Sequence, residues 1–561
     1  MIGDAGYSVV SPPERHISVT SHEIVEVFRG RMGSADRLKF QDFCKLVEAT
    51  AQFEYLDVRR RIKRNFRLFS LGAKGEEFTA RLGRNLPRKT EIVEREIRFI
   101  SDFVELMKTA HYQILTEKEW DMATAEEFQL TMPVAVNWKF LDNKMLTRFW
   151  NEKPAYSEGL APLSDKILVF HRGVGVTKLK GLFVSEKIDL LVKYLIVDPV
   201  WSLGRYLIGR GVGEKKNVAT DGNNEARTEG DGDGFRHKNV SVVQRRTLRR
   251  ALPTPKDVIK KFHRQVEIQE PRFKDIVVLY RKAKHKPMDM VNPSKATLSL
   301  AKRNIFIKLF EDIPMADLEL IFPEKRVFIT PLTLIQLGIT VVIAIITAIT
   351  TLMGTDLAMA VVLPALAIVL GRVAQVYSQL EQERAQMTTT MATMLYNKTR
   401  DSQEGAVFTL LDEMAEQHFK EAVMAYALLL LSKDPLDQAT LDDECETFLE
   451  EHFGVKIDFA IEGSLPRLVT DGLVEVDERT GGLTPVDLDT AVEILTEKWH
   501  KCFANMGDLN ENASFLRSSI IMGDGVGDLG RKTIGVMSSG LKGLRNKLMG
   551  MSKKVRNEEE R

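Results

Sequence analysis

Leu332–Met353 reads LTLIQLGITVVIAIITAITTLM, Gly354–Asp356 reads GTD, and Leu357–Gly371 reads LAMAVVLPALAIVLG. The stretch holds no Lys, Arg, Glu or His, and Asp356 in the break is its one charge. At ~1.5 Å per residue the first segment covers ~33 Å, enough for a hydrocarbon core of ~30 Å. The second covers ~22 Å and needs tilt, local thinning or a snorkelling Arg372 to cross. The β-branched run TVVIAIITAITT is poor helix material in water but acceptable in an apolar solvent. The expectation is a transmembrane helical hairpin over 327–372, with Leu332, Val341, Ile345, Met353, Leu357, Val362, Pro364 and Gly371 among its membrane-spanning positions. A buried hairpin in a large core is the alternative. Glu324-Lys325-Arg326 before the hairpin and Arg372 after it put the flanking parts on one face.

The rest of the chain reads as water-soluble. Its 561 residues suggest roughly two to four folding units. Charged residues make up 28% and the net charge is +1, so local segregation of charge matters more than the total. Cys44, Cys445 and Cys502 are far apart, with no zinc spacing and no disulfide framework. No apolar leader opens the sequence, which argues against a signal peptide.

Residues 1–124 read as a helical region in which apolar residues recur at helical spacing. Arg59-Arg60-Arg61, Lys63, Arg64 and Arg67 form a solvated helix face or a contact for anionic lipid. From 125 to 325 the period changes to that of an α+β unit. Leu130–Val136, Lys166–Phe170, Leu182–Val184, Ile276–Tyr280 and Ile305–Phe310 read as strands. Within it, 213–239 is Gly/Asn/Asp-rich and reads as a disordered loop. A basic stretch follows, with Arg245, Arg246, Arg249 and Arg250 as candidate lipid-facing cations.

Long helices are expected over 373–435. Residues 436–505 then run helix, helix, β-hairpin, helix, a winged-helix-like module. From Asp437 to Lys498 the chain has 17 acidic and 4 basic residues, so this module would repel a duplex and suits protein contact. The tail, 510–561, is basic and amphipathic. Ile534, Met537, Leu541, Leu544, Leu548, Met551 and Val555 form one stripe, with Lys542, Arg545 and Lys547 among the cations opposite, a pattern for anionic lipid or a partner groove.

Three motifs carry a family resemblance in order: KILVFHRGVGVTKLKGLFVSEKIDLL (166–191), IFIKLFEDIPMADLELIFPEKR (305–326) and MLYNKTRDSQEGAVFTLLDEMAEQHFKEAVMAYALLL (394–430). With the apolar hairpin, they resemble the transmembrane-protein-143-like family, the domain of unknown function numbered 3754, over about residues 15–500. The long 213–239 loop and His171 depart from that pattern. The resemblance implies an integral protein of an organelle membrane, mitochondrial or chloroplast, with no established activity, although some members carry an aminopeptidase label.

Familiar catalytic signatures are missing. His22-Glu23-Ile24-Val25-Glu26 lacks the second imidazole of a zinc protease helix. Gly209–Lys216 lacks the GK[ST] of a phosphate loop, Gly173–Gly175 is a lone GxG, and no GxSxG occurs. Arg172, Glu186, Lys187 and Asp189 are the densest charge set in the family-like core, either salt bridges or a site. The expected fold class is mainly α with an α+β unit, the membrane helical hairpin and a winged-helix-like C-terminal module. No cofactor or metal is expected. The expected partners are the lipid bilayer, anionic lipids and proteins, with nucleic acid disfavoured. The function these features suggest is a non-enzymatic, membrane-anchored scaffold or adaptor. The alternatives are an oligomeric pore or transport subunit, or a membrane-associated enzyme of unrecognised type.

Overall fold

The computed structural model describes residues 7–11, 13–70, 88–124, 134–154, 159–199, 241–283, 303–323, 325–327, 359–477 and 479–504. It also describes positions 338, 342, 343, 345, 346, 349 and 350. Strand β1 (Tyr7–Ser11) leads to helices α1 (Ser21–Arg31), α2 (Arg37–Phe66) and α3 (Lys89–Thr109). Strand β2 (Gln113–Ile114), helix α4 (Glu117–Thr124), strand β3 (Val134–Val136) and helix α5 (Lys144–Glu152) follow. The long strand β4 (Ile167–Gly181) precedes helix α6 (Val184–Val192), strand β5 (Ser241–Arg245) and the short helices α7 (Leu248–Ala251) and α8 (Pro255–Lys260). Next come strands β6 (Val266–Arg281), β7 (Ile305–Pro314) and β8 (Lys325–Val327), helix α9 (Met359–Lys398), strand β9 (Thr399–Ser402) and helix α10 (Glu404–Leu431). Helices α11 (Gln438–Phe453) and α12 (Ile461–Thr470), strands β10 (Val474–Val476) and β11 (Leu483–Pro485), and helix α13 (Leu488–Ala504) close the described chain.

An antiparallel sheet of order β2-β4-β6-β7-β9 lies at the centre. Its strands read as unbroken apolar runs because both faces are covered. Leu168, Phe170, Val277, Leu279, Ile307 and Leu309 pack with residues of α2, α3, α5 and α10. The alternating residues Ile167, Val169, Ile276, Val278, Tyr280 and Phe310 pack with Met122, Val136, Met315, Leu318 and Phe322. Leu182–Val184, expected as a strand, is not one: β4 ends at Gly181 and α6 starts at Val184.

A second core joins the two ends of the chain. Phe28 stacks on Phe448 at 4.4 Å, and Phe43 on Tyr426 at 4.3 Å. Lys498 bridges Glu54 at 2.9 Å and Asp471 at 2.8 Å, tying α13 to α2. The acidic C-terminal elements therefore pack against the N-terminal helices and the second half of α10.

The membrane reading is corrected. Among the described residues no helix is long and apolar enough to cross a membrane. Leu357 lies outside them; Val362, Pro364 and Gly371 belong to α9, which starts at Met359 and runs to Lys398. Its apolar opening, 359–370, covers ~18 Å, short of the ~30 Å required. Beyond Arg372 the helix carries Glu381, Glu383 and Arg384 and folds back against the sheet, with Lys398 bonded to Asp312 of β7. Most of 332–353, including Leu332, Val341 and Met353, lies outside the described residues, whereas Ile345 is helical and exposed. The transmembrane hairpin is thus removed from the fold class, and with it the placement as an integral protein of an organelle membrane. The pore reading loses its premise. The 213–239 loop and the 510–561 tail also lie outside the described residues.

Phe170 is fully buried and meets Phe103 edge-on at 6.0 Å, joining the sheet to α3. Phe170→Ala is expected to cost about 3–5 kcal/mol, read as a lower urea midpoint at unchanged slope.

Candidate functional site

Arg172 leaves β4 on the helix-covered side of the sheet, where it is 5% exposed. It pairs across the strands with Asp275 of β6, through Nη2 at 2.7 Å and Nε at 3.2 Å. Nη2 also donates to Glu413 of α10 at 2.8 Å, and the guanidinium lies 4.5 Å over the Tyr112 ring. Nη1 donates to His16 Nδ1 and to the Ala110 carbonyl, each at 3.4 Å. One side chain thus joins the sheet, α10, the turn after α3 and the N-terminal segment. The next residue, Gly173, has φ +67, and a Cβ there would stand 2.7 Å from Lys274 Cδ and 2.9 Å from Glu14 Oε1. Any other side chain would collide with the Lys274–Glu14 pair.

The polar contacts continue along α10. Gln417 accepts from the Ile17 backbone N–H at 3.0 Å and donates to Glu421 at 2.7 Å. Lys420 donates to the Ile17 carbonyl at 3.2 Å. His111, at φ 60, contacts Glu421 through Nε2 at 3.3 Å. Segment 14–17 is therefore held on α10 by side chains that replace a strand partner.

The electrostatics follow from burial. Desolvation alone would lower the Arg172 pKa; Tyr112, Glu413 and Asp275 outweigh it and hold the pKa above the ordinary value. Burial raises the Tyr112 phenol, whose hydroxyl has no hydrogen-bond partner among the described residues. His16 is lowered to about 2 by burial, then by the positive charge of Arg172, Lys420, His111 and Lys274. It stays neutral at ordinary pH and accepts from the guanidinium.

The sequence-derived charge set is divided. Arg172 belongs to this cluster. Lys187 is fully buried elsewhere, and its Nζ donates to the carbonyls of Lys261, Phe262 and Arg264 at 2.9, 3.1 and 2.8 Å. Glu186 and Asp189 share α6 with Lys187, and the Asp189 side chain is outside the described ones. Arg245, a candidate lipid contact, is fully buried. It pairs with Glu270 at 3.1 Å and donates to the carbonyls of Met122 and Ala123 at the end of α4. Arg246 is exposed, Arg249 and Arg250 are half-buried, and Lys542, Arg545 and Lys547 lie outside the described residues.

Sequence reasoning missed His16, Asp275 and Glu413. The available signal was Asp275, the carboxylate set immediately before the apolar run IVVLY. Among the described residues no group of His, Cys, Asp and Glu is arranged to hold a metal ion.

Residues 273–405 match the family described as "Protein of unknown function (DUF3754)". The matched region starts at Phe273, two residues before Asp275, spans β7 and α9, and ends at the start of α10. It carries one of the Arg172 carboxylates; Arg172 and Glu413 lie outside it. No curated protein and no solved structure matches the chain.

Arg172→Ala leaves Asp275 and Glu413 without their buried counter-ion and is expected to cost about 3–5 kcal/mol. The triple variant R172M/D275N/E413Q recovers most of that loss in urea unfolding. A second expectation concerns acid. A histidine with a depressed folded pKa contributes stability present above its unfolded value, 6.5, and lost as pH falls toward about 2. In that window His16 gives a slope of up to ~1.4 kcal/mol per pH unit. His16→Gln should flatten the fall in thermal midpoint between those limits.

Proposed function

We propose that the protein is a binding scaffold, and that the acidic face of α11 and α12 takes a basic segment of a protein partner. Asp442 carries the reading. Its carboxyl is pushed up to about 7 by burial, then by the negative charges of Glu446, Glu462, Asp458 and Asp443. Its Oδ1 is buried and has no hydrogen-bond partner among the described residues. Arg15 offsets part of this charge through Asp458 at 3.0 Å. A lysine or arginine from a partner would supply both a donor and a counter-charge.

The position of this face supports the role. Phe448 and Leu449 of α11 and Leu465 and Leu468 of α12 are buried in the core shared with α1 and α2. The carboxylates thus stand on a rigid support, which lowers the ordering cost of binding. Phosphate is repelled by the excess of 17 acidic over 4 basic residues, so a nucleic acid does not fit.

Fluorescence anisotropy of a labelled Lys/Arg-rich peptide with the full chain tests the reading. D442N/E446Q/E462Q should weaken binding at least ~10-fold, and added salt should weaken the parent complex. Binding should tighten as pH rises through about 7, where Asp442 becomes charged. Equal affinity of parent and triple variant at low salt would refute it.

A further inference from the structure

Beyond Arg172, β4 and β6 run on past β7 as an arm, joined at its β6 edge by the bridge of Arg246 to Gln269 and the Arg245–Glu270 pair. Val174–Gly181 pairs with Val266–Phe273, whereas β7 pairs with β6 only from Arg272 onward. Eight residues extend the arm by ~26 Å. Its end carries a small core of Leu190, Leu248, Leu252, Val258, Val266 and Ile268, separate from the three large ones.

Helix α6 is apolar on both sides of this small core. Leu190 is buried in it, and Leu191 and Tyr194 pack against it. Val184, Ile188 and Leu195 follow a helical stripe on the other side, with Leu195 in the turn that continues the helix, and all three are exposed, Leu195 by 60%. The buried Lys187 ties α6 to the turn at 261–264 through three carbonyls. Beside that turn Ile259 is 64% exposed, and Lys256, Lys260, Lys261 and Arg264 are exposed as well. Residues 245–264 hold eight Lys and Arg and one acid, Asp257.

We infer that the outer face of α6, together with the basic turn beside it, is a contact site for the anionic headgroups of a membrane surface. Aliphatic side chains flanked on one side by the cations of the 256–264 turn enter the headgroup boundary while the cations meet phosphate and carboxylate. Lysine suits this surface, being a point charge on a flexible stem that needs no fixed register. A protein groove is the weaker match: the stripe is Val, Ile and Leu, without the Trp, Tyr or Arg anchors that dominate protein interfaces. The contact is peripheral, made by a folded tip, and adds no crossing segment.

The test uses the full chain and phosphatidylcholine vesicles with or without phosphatidylserine. A bimane on Leu195→Cys, in a Cys502→Ser background, reports the tip alone, because Cys44 and Cys445 are buried. Blue-shifted emission is expected on phosphatidylserine vesicles and not on pure phosphatidylcholine. Neutralising Lys256, Lys260 and Lys261 to Gln should weaken the vesicle affinity read from that shift about fivefold per charge, with an unchanged circular dichroism spectrum and thermal midpoint. Unchanged emission on phosphatidylserine vesicles, even if the protein sediments with them through its basic tail, would overturn the inference. A blue shift in vesicle-free extract but not on vesicles would overturn it in favour of a protein partner.

Discussion

Arg172 is the constraint on which the arrangement depends. A guanidinium that is 5% exposed must have its charge and donors satisfied, and the groups that satisfy it come from four separate stretches of chain. Asp275 fixes the register of β4 on β6. Glu413 fixes α10 over the sheet. Tyr112 and Ala110 fix the exit from α3, and His16 brings the N-terminal segment to the same point. Because the pairing is many-sided, small displacements of any one element uncover charge.

The strands were legible. KILVF, IVVLY and IFIKLF read as buried strands because an apolar run this short, flanked by charge, has few other uses. The helices of the acidic C-terminal stretch were also legible, from apolar spacing and from the glycine turn that separates β10 and β11. The pairings were not. Arg172 is 103 residues from Asp275 and 241 from Glu413, and nothing local in the chain marks such distant partners. Lys187 looked like one member of a charge set, yet its bonds are to backbone carbonyls, which every residue carries and no sequence pattern reveals. Arg245 misled for the same reason: within a basic stretch it resembles its neighbours, but it alone turns inward to Glu270 and the end of α4.

The apolar segment at 332–371 misled in a different way. Hydropathy reports how a segment partitions, averaged over its length, and says nothing of where its helix begins and ends. In the structure the second apolar segment is the opening of a helix of 40 residues whose later turns carry charged and polar side chains and which continues to the sheet through β9. Helix length is decided by the whole element, and a charge at Arg372 does not stop a helix. The exposed aliphatic stripe of α6 lies elsewhere, too short for hydropathy averaged over a long window to mark it.

The core shared by the two chain ends has a consequence for how the protein is made. Helix α2 buries Phe40, Phe43 and Tyr55 against α10 and the residues after it, more than 300 residues later. At ~5–20 residues per second a ribosome needs on the order of tens of seconds to deliver them. During that time the faces that α1 and the first half of α2 turn toward α10 lack their native cover. Truncation within α10 leaves α1 and the first half of α2 without their core.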